Sequence, residues 1–291
     1  SCRPARPRRG EARPSSAILA RLCEDRVRLT TCRRGETDLS HSSPDPAEAA
    51  ARLRRAGLSA DAATTVVAHL RAADAAGKHG HGLVRVDWLE GLLRDSRDPS
   101  AVPERVVRDE SFERWQGNGA LGYLTLDAAC GAVEADPPAR ARLVVCDSCF
   151  PTGMLGGWAR RLADVGFVAV VTATSPRRLP HPTGGAPLTG TNPIAIAVPS
   201  SDGAPLVADV SMGAVTHGDV LAGRASADEL VPFGGPLAHK AFALAVGVEQ
   251  LVGALAGPEH GAVVLVARPD HDPVPGFRAL AAGRRLPGDR S

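Results

Sequence analysis

The stretch ADAAGKHGHGLVR, Ala73 to Arg85, is where the chain turns from one helical pattern to the next. Gly77, Gly80 and Gly82 break periodicity there and leave two histidines, a lysine and an arginine in one short junction. His81 and Arg85 are four residues apart, so a helix starting near Gly80 would set them on one face, a turn from each other. An arginine can grip a carboxylate through two parallel hydrogen bonds. A histidine beside it can pass a proton to or from the neighbouring oxygen near neutral pH. The pair therefore points to a small acidic carbonyl compound. His79 and His81 also form an HxH half-site, but no third metal ligand stands nearby in the sequence, and no metal is predicted.

Before this junction the sequence reads as helix. Asp45 can cap a helix with Pro46 at its first position, running to Ala56 and stopping at Gly57. Ser59 can cap a second, with Ala62, Val66, Leu70 and Ala73 as one apolar stripe and Gly77 as its end. Beyond the junction Val84, Trp88, Leu89 and Leu92 continue helical spacing. From about Arg105 short β-rich runs alternate with helices. Strands are predicted at 141–146, 167–172, 193–198, 205–210 and 262–267, and helices at 124–135, 154–165 and 242–255. The predicted fold class is mixed α/β (α+β). Residues 44–98 are expected to form a small helical domain, and 99–235 a mixed α/β domain. Residues 1–43, rich in Arg and Ser, read as a disordered tail.

Composition removes several classes. Of 291 residues 44% are hydrophobic and 23% charged, an ordinary globular balance. Lys+Arg is 34 against Asp+Glu 32, so bulk charge gives no reason to bind nucleic acid. The longest apolar stretch, 241–256, is interrupted by Glu249 and Gln250, and no membrane span is predicted. No sustained apolar run follows Arg8-Arg9, so no export signal is predicted and the expected location is cytoplasmic. Lys78 and Lys240 are the only lysines. Cys146 and Cys149 form a lone CxxC, short of the two knuckles a zinc site usually needs. No strand–GxGxxG–helix unit, P-loop or GxSxG elbow occurs.

The junction resembles the ADxxGxDSHGvxR signature of the malate/L-lactate dehydrogenase family of NAD(P)-dependent oxidoreductases, and further motifs follow in the family's order. Gly117–Gly122 resembles its GdgglGq loop, and Gly190-Thr191-Asn192-Pro193-Ile194-Ala195 its GTNPiA motif. Asp209 with Gly218 resembles DmATSxvaxG, Gly234–Leu244 resembles GGhKGyGL, and Pro287–Arg290 resembles PGER. The resemblance covers roughly residues 47–291. It implies a non-Rossmann fold in which 236–291 join the helical domain 44–98 and 99–235 bind the cofactor, NADH or NADPH as that cofactor, a small carboxylate substrate (a 2-hydroxy or 2-oxo acid or a cyclic imine carboxylate) and a homodimer. By motif position it makes His81 the acid/base and Arg85 the carboxylate ligand. Gly122, Tyr123, Thr174, Ser175, Asp209, Ser211, Lys240, Gly288, Asp289 and Arg290 fall where the cofactor would be held. Gly80, Thr191 and Asn192 fall in substrate or structural loops.

The chain also departs from the pattern. The Asp-Ser before the histidine is His79-Gly80, and Ser148–Gly153 holds no counterpart of a second family histidine. Two glycines of KGyG are Ala241 and Ala243. The stretches after Gly218 and after Ala267 are shorter than in the family. The alternative reading is therefore a catalytically impaired homologue that serves as a binding or dimerisation partner.

Overall fold

A computed structural model describes residues 43–289; the expected tail at 1–43, all but its last residue, and the cofactor candidate Arg290 lie outside them. The first two helices start where their caps predict. The Asp45 carboxylate accepts the Ala47 and Glu48 amides at the head of α1 (Pro46–Arg55), and the Ser59 hydroxyl accepts the Ala62 amide at the head of α2 (Ala60–Ala75). Two short 3-10 turns, His79–His81 and Leu83–Arg85, lead into α3 (Val86–Asp95). The third helix thus begins later than Gly80. Gly82 is extended, and the Asp74 carboxylate takes the Leu83 amide at 2.9 Å, which holds the junction out of a regular helix.

The remaining elements build one mixed sheet. They are β1 (Glu104–Arg108), β2 (Phe112–Gln116), α4 (Gly122–Ala135), β3 (Ala141–Asp147), α5 (Leu155–Asp164), β4 (Val168–Ala173), the small hairpin β5 (Leu179–Pro180) and β6 (Pro187–Thr189), β7 (Ile194–Val198), β8 (Leu206–Val210), α6 (His217–Leu221), α7 (Ala238–Ala256), β9 (Ala262–Ala267) and α8 (Val274–Ala281). Seven strands run in the order β1-β2-β3-β9-β4-β7-β8. Only β2 and β3 are parallel. The C-terminal segment, expected beside the helical unit, sends β9 into the centre of the sheet between β3 and β4.

The alternation of β3 and β9 explains the layering. Val144 and Val264 face the main core, where α1 to α5 bury Leu53, Leu70, Leu89, Leu126 and Leu162. Val145 and Val263 face the other way, against Val248, Val252 and Ala256 of α7. Strands β1 and β2 were not predicted. They are largely polar, β1 being exposed throughout, and β2 buries a carboxylate, Glu113, where a hydrophobic residue is the usual occupant. No helix among the described residues is long and apolar enough to cross a membrane.

Candidate active site

His81 and Arg85, though on successive 3-10 turns, line the same small cavity of about 70 Å³. The close approach of α6 to the junction makes this arrangement possible. A Cβ on Gly218 would stand 1.7 Å from the Gly80 carbonyl oxygen, and one on Gly80 would stand 2.7 Å from the Thr216 hydroxyl. The space that a serine at position 80 would need is thus filled by Thr216, itself tied to Asp219 at 2.6 Å. Thr216 and Asp219 form a reciprocal cap at the start of α6.

Arg85 is buried and its Nε donates to the Gly80 carbonyl at 2.6 Å, while its guanidinium lies over the Trp88 ring, 5.1 Å from the centroid. These two contacts fix the fork and leave its outer N–H groups for a ligand. His81 is half-buried, and its Nδ1, shielded from solvent, has no hydrogen-bond partner among the described residues. Burial above all, with Arg85, His69 and Lys78 adding to it against Asp219, pushes its pKa down to about 3. His81 is therefore held as a neutral imidazole at neutral pH.

His69, Tyr123 and Trp158 back this pocket. The His69 ring stacks on Trp158 at 4.3 Å, meets Tyr123 edge-on at 5.3 Å, and accepts the Met154 amide at 3.0 Å. Burial holds its pKa near 4. Because the folded protein resists protonating His69 and the unfolded chain does not, stability is full above pH 6.5 and falls as the pH drops towards 4. The loss from this residue reaches about 3 kcal/mol. Denaturant titrations at pH 7 and 4.5 are expected to show it, and His69→Gln, which keeps an acceptor for the Met154 amide, should reduce the difference; an unchanged pH dependence would contradict this assignment.

Several residues expected at the site do meet there. Thr174, Ser175, Thr191 and Ser211 line the His81 cavity. Asn192, fully buried, does not face it: its amide donates to Thr189, the Ala245 carbonyl and Glu249, and its oxygen accepts the Ser175 amide. It clamps the 190–193 loop to α7.

A second, larger groove of about 1150 Å³ adjoins the first. Asp209, Gly288 and Asp289 line it together with Lys78, Arg71 and Arg160. Burial raises the Asp209 pKa, opposed by the Gly156 amide and Lys78. Gly288 docks on β8, where a side chain would collide with the Val207 backbone nitrogen at 2.8 Å, and Arg160 donates to the Gly288 carbonyl at 2.5 Å. Three chain segments serve both cavities. Lys78, Met154 and Val210 line the groove, while His81, Gly153 and Ser211, one to three residues on or back, line the pocket.

Three other candidates line neither cavity. Gly122 and Tyr123 line none of the described cavities; a Cβ on Gly122 would sit 2.7 Å from the Phe150 nitrogen, and Tyr123 is fully buried. Lys240 is exposed on the first turn of α7 and lines none of them either.

The structure also adds residues. Arg178, from the edge of β5, and His217, the first residue of α6, complete the pocket wall. Phe150 occupies the wall where the resemblance leads one to expect a second histidine, with His260 5.3 Å from its ring. The Thr216-x-x-Asp219 capping signal is readable in the sequence, whereas Arg178 is one arginine among many. Among the described residues no cluster of three or more His, Cys, Asp or Glu could hold a metal ion.

The profile of the malate/L-lactate dehydrogenase family matches residues 47–230. Over 240 residues the chain is 29% identical to a Delta(1)-pyrroline-2-carboxylate/Delta(1)-piperideine-2-carboxylate reductase of Pseudomonas syringae pv. tomato, covering 69% of this chain and 66% of that protein. It is 31% identical over 161 residues to a (2R)-3-sulfolactate dehydrogenase (NADP(+)) of Chromohalobacter salexigens, covering 54% of this chain and 47% of that one. These matches thus span less than two thirds of either relative. The crystal structure of the delta1-piperideine-2-carboxylate reductase from Pseudomonas syringae superposes with a TM-score of 0.74 at 24% identity, over 86% of this chain and 92% of that one, which shows a shared fold.

Proposed function

Because this chain belongs to the malate/L-lactate dehydrogenase family, we propose that it is an NAD(P)-dependent oxidoreductase of small 2-hydroxy or 2-oxo acids or cyclic imine carboxylates. The observation that carries the reading is the adjacency of the two cavities. The His81 pocket and the groove lined by Asp209, Gly288 and Lys78 share three chain segments. The groove suits a dinucleotide in size, and its wall sets Lys78, Arg71 and Arg160, candidate phosphate partners, among the acids Glu134, Asp164, Asp209 and Asp289. A bound nicotinamide, from NADH or NADPH, supplies or accepts the hydride.

The chain's own residues do the rest. Arg85, fixed by Gly80 and Trp88, holds the substrate carboxylate. His81 donates a proton to the oxygen or nitrogen produced by reduction, or removes it in the reverse direction. The carboxylate on Arg85 offsets the charge that depresses the His81 pKa, so substrate binding raises it. The same reading takes the chain as a cytoplasmic homodimer. Leu244 and Leu251 on α7, with Leu265 and Ile196 on the sheet, remain exposed and fit burial against a second copy.

Thermal unfolding with and without NADH and NADPH tests the proposal. Ligand at 100 times its dissociation constant stabilises by about 2.7 kcal/mol, a shift of several degrees. No shift with either dinucleotide, from protein that melts cooperatively, would favour the impaired homologue instead.

A further inference from the structure

The pocket contains an imbalance that one carboxylate does not remove. Two guanidinium groups, Arg85 and Arg178, line it with His217 opposite Trp88, and no aspartate or glutamate is in its wall. Asp219, the nearest acid to Arg85, is engaged by Thr216 at 2.6 Å and Arg224 at 2.9 Å. Arg85 spends its Nε on the Gly80 carbonyl. The Arg178 main chain is fixed by its amide hydrogen bond to the Thr189 carbonyl at 3.0 Å, so the β5–β6 hairpin sets its position. Its side chain has no hydrogen-bond partner among the described residues.

We propose that Arg178, with His217, forms a second anion subsite facing Arg85, so that the pocket selects short acids carrying two anionic groups. This rests on the reading of the pocket as a substrate site. One anionic group sits on Arg85 beside His81 and the other on Arg178. Two cations in one half-buried cavity repel each other, and burying a charge without a counter-charge is costly. A ligand with two negative groups relieves both, whereas a monoanion leaves one guanidinium unpaired. The neighbouring charges bear on two of the groups: burial, then Arg85, lowers the Arg178 pKa, and burial, then Arg178 and Arg85, bring His217 to about 4. His217 is accordingly neutral at pH 7 and offers a hydrogen bond, leaving the charge to the arginines. The small volume, about 70 Å³, favours a short carbon chain between the two groups.

The test compares malonate with propionate as unreactive probes, by calorimetry on the full chain without dinucleotide, and oxaloacetate with pyruvate as reducible ones. The wild type is expected to bind malonate at least 10-fold more tightly than propionate. Arg178→Met should erase that preference, weakening malonate about 10- to 100-fold and leaving propionate unchanged. Arg178→Lys should restore part of it, and Arg85→Met should weaken both acids. Oxaloacetate and pyruvate should separate in kcat/KM in the same way. Equal binding of the two probes, binding of neither, or equal weakening of both by Arg178→Met overturns the subsite. If malonate binds through Arg178 but no acid is reduced with either dinucleotide, the subsite stands and the oxidoreductase reading falls. If pyruvate and oxaloacetate are reduced alike and Arg178→Met changes neither, the enzyme stands and the subsite falls.

Discussion

His81→Ala is expected to lower kcat by about 100- to 10,000-fold while the protein folds and binds dinucleotide as before. The ring lines the pocket beside Arg85, and its Nδ1 makes no bond on which packing depends. The loss should fall on kcat more than on KM, since Arg85 still holds the carboxylate. The pH profile carries the sign. In the proposed mechanism reduction needs the imidazolium, which burial and Arg85 disfavour and a bound carboxylate would favour. The rate of reduction should therefore fall as pH rises through the His81 pKa of the complex, and the rate of oxidation should rise over the same interval. A variant with kcat within twofold of wild type would place the proton donor elsewhere, with His217 the first group to examine.

Arg142→Met is expected to destabilise the fold by about 3–5 kcal/mol, far from the site. Arg142 on β3 and Glu113 on β2 form an ion pair at 3.0 Å between side chains 4% and 0% exposed. Glu113 also accepts from the Trp115 indole at 3.0 Å, and Arg105 reaches it only at 3.4 Å from the half-exposed edge. Removing Arg142 leaves a carboxylate with no water and one distant counter-charge. Arg142 further donates to the Asp136 carbonyl at 2.7 Å and the Glu110 carbonyl at 3.2 Å, so the turns flanking the strands loosen with it. Urea titration measures the loss. The double variant Glu113→Leu, Arg142→Met should recover much of it, because replacing both partners removes the orphaned charge. A loss under about 1 kcal/mol would mean that water reaches Glu113.

The ion pair also shows why part of the sheet is hard to read from the sequence. Strands β1 and β2 carry ERVVR and FERWQ, where charge masks the alternation that marks a strand. Glu113 of β2 finds its buried counter-charge only in Arg142 of β3, some thirty residues later. Strand β9 is legible as six apolar residues, but its place between β3 and β4 is not, since order in a sheet is decided by long-range pairing.

What the sequence determined by itself is local. The caps at Asp45 and Ser59, the apolar runs of β3, β4, β7 and β9, and the ordered motifs that identify the family all depend on neighbours within a few residues. The His81–Arg85 pair was legible too, although their shared helix was not: Asp74 and Gly82 break it into two 3-10 turns. The pocket itself belongs to the tertiary structure. Arg178 and His217 reach Arg85 from elements more than ninety residues away, and Thr216 fills the place left by Gly80. The depressed His81 pKa arises because folding excludes water from that pocket while gathering positive charge around it. Spacing along the chain carries no record of that environment.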